Sequence, residues 1–382
     1  MQTHETGSVE THHRGRMKTH SRARRGTHAV RWVGWGAVVA LLLSLPLRGA
    51  VAVGATAPGV VSTITVGNSP NDVAVNPATH RAYITNNGSG SVSVIDTRRN
   101  AVVVSIGVGD YPYGAAVNPA ADRAYITNGE SGSVSVIDTR RNAVVATITV
   151  GPIPVSVAVD PGASRAYVAH YNSINSSDES GSVSVIDTRR NAVVATVGVG
   201  NHPEGVVVNA ATNRAYVANY GSGNVSVIDT RSNTVVATIT VERNPNGVAF
   251  NVATERAYVA NEGSKSVSVI DTRSNTVVAT ISVGGSPIGV AVNAATNRVY
   301  VANYDSRNVS VIDTRSNTVV ATIGTGHSPG FVAVDPVTHR AYVTNLGASS
   351  SASGSVSVLD ISRNADLYTR RYAHPSRVGT PR

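Results

Sequence analysis

The chain is predicted to fold as an all-β protein, a seven-bladed β-propeller with four antiparallel strands per blade, on three observations. A unit of 42 residues recurs seven times, built around Pro-x-x-x-Ala-Val, Arg-Ala-Tyr-Val-x-Asn, Val-Ser-Val-Ile-Asp-Thr-Arg and Val-Val-Ala-Thr-Ile. A period near 40 with four short β-runs is the pattern of propeller blades, each too small to bury its own faces. The runs hold Val, Thr, Ile and Tyr while the gaps hold Gly, Asn, Ser, Asp and Pro, as strands and turns require. Finally, an orphan strand before the first unit matches the strand missing from the last.

Three landmarks set the register. Pro70, Pro112, Pro154, Pro203, Pro245, Pro287 and Pro329 open the units, and a Tyr follows each after 13 residues, from Tyr83 to Tyr342. An Asp closes each third run, from Asp96 to Asp360, and the next Pro comes 16 residues later. Tyr to Asp is 13 residues in five copies, 20 in the third and 18 in the seventh, so one connection absorbs all the length variation.

Within a unit, strand A is Gly-Val-Ala-Val, B is Ala-Tyr-Val, C is Val-Ser-Val-Ile and D is Val-Val-Ala-Thr-Ile. These short apolar runs suit sheets covered on both faces. Asp-Thr-Arg-x-Asn between C and D is a hairpin turn, since Asp and Asn bond locally to the backbone and tolerate positive φ. After Asp360 no strand D follows, whereas Gly59-Val-Val-Ser-Thr-Ile-Thr-Val-Gly67 matches one. Val60 to Val66 are therefore expected to complete the last blade, removing two open strand edges.

Ala-Tyr-Ile-Thr-Asn at 82–86 and Ala-Tyr-Val-Thr-Asn at 341–345 resemble the YVTN-family β-propeller repeat, over about residues 59–362. That resemblance implies the propeller fold, and a relation to bacterial and archaeal surface-layer proteins. The wider superfamily includes lactonase-like and cofactor-binding propellers.

Residues 1–52 read as a basic N-region and signal peptide. Trp32 to Leu47 runs without a charge, Arg48 follows, and Ala50-Val-Ala52 offers a small-x-small cleavage site. An uncleaved membrane anchor is the alternative, although the run is shorter than the ~20 residues a bilayer requires. The expected location is extracytoplasmic: periplasm, cell surface or medium. The chain has no cysteine, which excludes disulfides, thiolate zinc sites and a lipidated N-terminal Cys.

The formal net charge of +9 belongs to the tails. Residues 1–52 hold 8 Lys and Arg against 2 acids, the expected disordered tail 363–382 holds 5 against 1, and the body between holds 19 against 20. The high isoelectric point is therefore no sign of nucleic-acid binding, which needs a basic patch on the folded body.

Residues shared by all seven copies are assigned to the scaffold. The Arg that opens each strand B, Arg81 to Arg340, lies opposite the Asp that closes strand C, predicting a ring of seven exposed ion pairs. The Tyr series is expected to pack between blades. Strand order puts the monotonous A–B and C–D turns on one face and the varied D–A and B–C connections on the other. Both insertions fall on the varied face, 172–179 and 348–353, as do Tyr111, Tyr113, Tyr171, Tyr220 and Tyr304. Rigid amphipathic side chains on variable loops suit recognition.

At the channel mouth, near the Pro landmarks, the candidate binding residues are Asn71, Asp72, Tyr113, His202, Glu204, Arg243, Asn246, His327 and Phe331, together with Tyr111, Tyr171, Tyr220 and Tyr304. His202, Glu204 and Arg243 lie on adjacent blades and are the candidate catalytic groups, as base, acid and electrostatic stabiliser. No metal site is expected, because His202, Glu204, His327 and Asp72 are spread around the ring. No cofactor is expected, since neither a Cys ligand nor a His pair suits haem. The leading expectation is an exported, non-catalytic scaffold that binds a protein or cell-surface polymer. The alternative is a lactonase-like hydrolase or lyase at the same mouth.

Overall fold

A computed structural model describes residues 59–171, 180–347 and 353–362. The expectations for residues 1–52, for 363–382 and for most of the two insertions lie outside the described residues. Among those described, 28 strands form seven four-stranded antiparallel sheets, as the repeat predicts. Blade 1 sets the pattern: strand A is Pro70–Asn76, B is Arg81–Asn86, C is Ser91–Asp96 and D is Ala101–Gly107. Strand A starts at the proline, earlier than its apolar run suggests. Proline is tolerated as the first residue of a strand, where no ladder N–H is required.

Burial follows strand order. Strands B and C are buried along almost their whole length, while strand D of blades 1 to 6 buries a single residue, Ile106 in blade 1. The core lies between blades: Tyr83, Val92, Val94 and Ile106 of blade 1 meet Ala115, Ala124, Ile126 and Ile137 of blade 2. The tyrosines of the series are fully buried, and their hydroxyls reach the C–D turn of the next blade. Tyr342 donates to the Thr97 carbonyl at 3.1 Å, and Tyr167 and Tyr216 donate to those of Thr230 and Thr272 at 3.5 Å.

The ring closes as expected. Val60–Asn68 pairs antiparallel with strand C of blade 7, Ser353–Asp360, placing Val60 opposite Leu359 and Ile64 opposite Val356. Ile64 and Val66 are buried with Ala82, Ile84 and Ile95 of blade 1, so this strand also seals the joint between first and last blades.

All seven Arg–Asp pairs form, but the expectation that they are exposed needs correction. Arg81 and Asp96 are 30% and 10% exposed, and Arg298 and Asp313 only 7% and 8%. The aspartate is drawn inward because it also holds the turn. Asp96 Oδ1 accepts the N–H groups of Arg98 and Arg99, both at 3.0 Å, while Oδ2 meets Arg81. Burial tends to raise the Asp96 pKa, yet these backbone bonds and Arg81 together hold it below the usual value.

A second buried network ends strand B. Asn86 donates from Nδ2 to Ser91 and Ser93 of strand C at 3.2 and 2.9 Å; Asn128, Asn261 and Asn345 likewise donate to two serines in their blades, while Asn219 and Asn303 donate to Asn224 and Asn308 Oδ1 and to Ser226 and Ser310. Blade 3 substitutes His170, whose ring nitrogens meet the Pro152 carbonyl at 3.0 Å and Ser184 Oγ at 2.9 Å.

Candidate functional site at the channel mouth

One backbone device builds the mouth in every blade. The residue before the Pro landmark has positive φ in all seven copies: Ser69, Tyr111, Ile153, His202, Asn244, Ser286 and Ser328, between 45° and 53°. Bulky and β-branched residues rarely adopt this conformation, so Tyr111, Ile153 and His202 are held there by their surroundings. The holding contact is the carbonyl of that residue, which accepts the N–H of the first residue after strand B. These bonds join Ser69 to Asn87, Tyr111 to Gly129, Ile153 to Tyr171, His202 to Tyr220, Asn244 to Glu262, Ser286 to Tyr304 and Ser328 to Leu346, at 2.9 to 3.2 Å. The D–A and B–C loops are thereby tied into one rigid rim.

The tied position forms a collar of Asn87, Gly129, Tyr171, Tyr220, Glu262, Tyr304 and Leu346. A second ring stands one residue past each Pro, at the start of strand A: Asn71, Tyr113, Val155, Glu204, Asn246, Ile288 and Gly330. Glycine lets the inner strands approach closely. A Cβ on Gly205 would stand 2.4 Å from the Asn246 carbonyl oxygen, and one on Gly247 the same distance from that of Ile288.

Several candidates meet on blades 2 to 6. Tyr171 stacks on His202, ring centroids 4.7 Å apart at 17°. Glu204 is only partly accessible, and burial first, then the neighbouring Glu262, pushes its carboxyl up to about 8. Glu262 is also raised, by burial first; Asn246 Nδ2 donates to it at 3.2 Å and pulls it down, and Asp305 pushes it up. Tyr113, Tyr171 and Tyr220 are raised by burial, and all three sense the Glu204 charge. Tyr304 occupies the collar on the next blade, partly buried.

Other candidates stand apart. Arg243 is exposed at the rim, its guanidinium donating to the Gly263 carbonyl at 3.3 Å, and among the described residues it makes no ion pair with Glu204. Of the three proposed catalytic groups Arg243 therefore stands apart, leaving His202 just before strand A of blade 4 and Glu204 within it, Pro203–Asn209. Asp72 bridges blades 1 and 2: Oδ2 accepts the Ala115 N–H at 2.9 Å and Oδ1 that of Val73 at 2.7 Å. Burial raises the Asp72 carboxyl to about 7 against the pull of these bonds. The Asn71 carbonyl accepts Thr344 Oγ1 at 2.7 Å, and the Phe331 backbone bonds the same hydroxyl, so both belong to the joint between blades 7 and 1. His327 and Tyr111 are exposed.

Sequence reading missed Glu262 and Asp305. Aligning the copies on the residue after strand B, as well as on the proline, places Glu262 with Tyr171, Tyr220 and Tyr304. Charge is polarised across the disc. Besides Asp72, the mouth face carries Asp110, Glu130, Glu204, Glu242, Glu262 and Asp305 against Arg243, Lys265 and Arg307 among the described residues. The opposite face exposes Arg98, Arg99, Arg140, Arg141, Arg189, Arg190, Arg231, Arg273 and Arg315 in its C–D turns.

Fold and site together define a seven-bladed β-propeller with an acidic, tyrosine-lined mouth. No protein-family model and no curated protein matches the chain. Among solved structures it is similar to a chain of hydrazine synthase from Kuenenia stuttgartiensis, with 23% sequence identity and a TM-score of 0.68, over 78% of this chain and 97% of that one. The similarity is one of fold.

Proposed function

We propose that this protein is an exported or cell-surface propeller that acts as a binding scaffold, engaging a protein or surface polymer through the D–A and B–C face. The observation that carries this reading is the collar. One backbone position, clamped in the same way in seven blades, varies from Gly to Asn, Leu, Glu and Tyr, while the Arg, Tyr and Asp of the scaffold do not. A rigid frame presenting different aromatic and acidic side chains suits recognition with little ordering cost. The apolar run at 32–47 supports export, and the YVTN-like repeat supports a surface location.

The test is co-sedimentation of the full-length protein with cell envelopes of the producing organism. Tyr171→Ala, Tyr220→Ala and Tyr304→Ala combined should abolish most retention, and Arg98→Ala with Arg99→Ala on the opposite face should not. Equal retention of wild type and the tyrosine variant would refute the assignment.

A hydrolase or lyase reading draws on one feature, the raised Glu204 carboxyl two residues from His202, since an acid with a pKa near 7 to 8 suits proton donation at neutral pH. Its test is turnover of a panel of γ- and δ-lactones, lost in Glu204→Gln.

A further inference from the structure

The face opposite the mouth is patterned as well as basic. Strand A of each blade packs against strand A of the next, which sets the A–B turns around the axis and the C–D turns at the circumference. Every A–B turn has an uncharged tip of two small residues drawn from Pro, Ala, Val and Gly, such as Pro77-Ala78 in blade 1, Val252-Ala253 in blade 5 and Pro336-Val337 in blade 7. Val252 and Val337, 63% and 58% exposed, are the most exposed large hydrophobic side chains among the described residues. Around these tips stand the nine exposed arginines of the C–D turns. Among the described residues outside the seven ion pairs, the acids that reach this surface are Asp122 and Glu255, and each is already paired, with Arg140 and Arg273.

Both tails join the disc on this face. The Gly59 carbonyl accepts the Asp360 N–H at 3.1 Å, and the Ile361 N–H meets the carbonyl of His339 in the A–B turn of blade 7 at 3.1 Å. The segments that continue from these points are the basic ones, 8 Lys and Arg against 2 acids in 1–52 and 5 against 1 in 363–382. The excess positive charge of the whole chain is therefore tethered where the folded body is already basic.

We propose that this face docks on an anionic lipid bilayer, the arginines at the headgroup phosphates and the A–B tips in the interface. Charge alone would suit any polyanion, but a phosphate backbone gives seven apolar tips nothing to bury against, whereas a bilayer interface removes them from water. Protein recognition relies on individual anchors, aromatic above all, and these turns hold no aromatic residue and repeat one small tip around the ring. The contact is independent of the mouth, which it leaves facing away from the membrane. Each arginine adds a modest share, so losing Arg98 and Arg99 alone leaves most of it, and a lipid occupant offers no protein to crosslink. At about 0.5 M salt the Debye length falls to about 4 Å, and envelope retention then reads the mouth face alone.

The chain has no cysteine, so a single introduced one reports its own surroundings. Full-length Val252→Cys, Val337→Cys and, on the mouth, Tyr304→Cys are labelled with nitrobenzoxadiazole. Each is titrated at about 0.1 M salt with vesicles of phosphatidylcholine alone or with about one third phosphatidylglycerol. Labels at 252 and 337 should brighten and shift to the blue on the anionic vesicles, and the label at 304 should not. Arg99→Ser, Arg141→Ser and Arg190→Ser combined copy the Arg-Ser turns of blades 4 to 6, which keeps the fold. That variant should bind anionic vesicles at least about tenfold more weakly at a nearly unchanged melting temperature. Sedimentation with anionic vesicles without a response at 252 and 337 would mean that the tails bind alone, and overturns the proposal. Equal response at 304, or wild-type binding by the Arg→Ser variant, does so too. Tighter binding to duplex DNA than to vesicles at equal phosphate assigns the face to a soluble polyanion and overturns the lipid occupant.

Discussion

Glu204 and Glu262, on adjacent blades, set two carboxyls together at the channel mouth with no cation paired to either among the described residues. Burial and this proximity keep Glu204 protonated up to about pH 8. At neutral pH the cost of the arrangement is that of holding Glu204 protonated, within a loop frame tied in the same way in all seven blades.

That relationship makes stability depend on pH. A carboxyl that ionises near 4.5 when unfolded and near 8 when folded contributes fully below 4.5 and loses that contribution as pH rises toward 8. Glu204→Gln should melt with the wild type at pH 4 and above it at pH 8.5, by about 2 to 4 °C for each ~1 kcal/mol relieved. A difference in melting temperature that does not change with pH would show that Glu204 ionises freely.

Blade 3 shows the opposite sign. Burial holds the His170 pKa below its usual 6.5, against the Pro152 carbonyl, so its contribution is present above pH 6.5 and is lost as pH falls through the lowered value. His170→Asn restores the residue used in the other six blades. The variant should gain on the wild type between pH 7 and pH 5 in urea-unfolding midpoints; parallel midpoints at both pH values would rule out a buried neutral imidazole.

Closure by the first strand carries a large share of stability. Deleting residues 60–66 removes the buried Ile64 and Val66, about 1.5 to 3 kcal/mol each, and opens two strand edges to aggregation. The deletion variant should melt more than about 10 °C lower or precipitate. A truncated protein with the wild-type melting curve would mean that blade 7 is stable with three strands.

The ion-pair ring is graded by burial. Arg298→Ala leaves Asp313 buried beside an empty partner site and should cost about 3 kcal/mol. Arg81→Ala, where the arginine is 30% exposed, should cost about 1 kcal/mol or less. Equal losses in denaturant unfolding would show that the pairs act only as turn anchors.

The fold was legible because its signals are repeated. Seven copies averaged out every accident, and the match of Val60–Val66 to the missing strand exposed the closure. The varied D–A and B–C connections were legible for the same reason, since both insertions and the extra tyrosines of the ring fall among them. The clamp was not legible: Ser69, Tyr111, Ile153, His202, Asn244, Ser286 and Ser328 share a backbone conformation and no side-chain type. Nor was the parting of Tyr111 from Tyr113, two residues apart, one exposed at the rim and the other turned inward beside Asn87. Nor was the turn of Arg243 away from Glu204, its guanidinium donating instead to the Gly263 carbonyl, a direction that residue spacing does not encode.

The central claim, recognition through the mouth face, is tested most directly by site-specific photocrosslinking in the producing cells. Benzoylphenylalanine in place of Tyr304 should give discrete covalent adducts, and in place of Arg231 on the opposite face should give none. Adducts from position 231 with none from 304 would contradict the account.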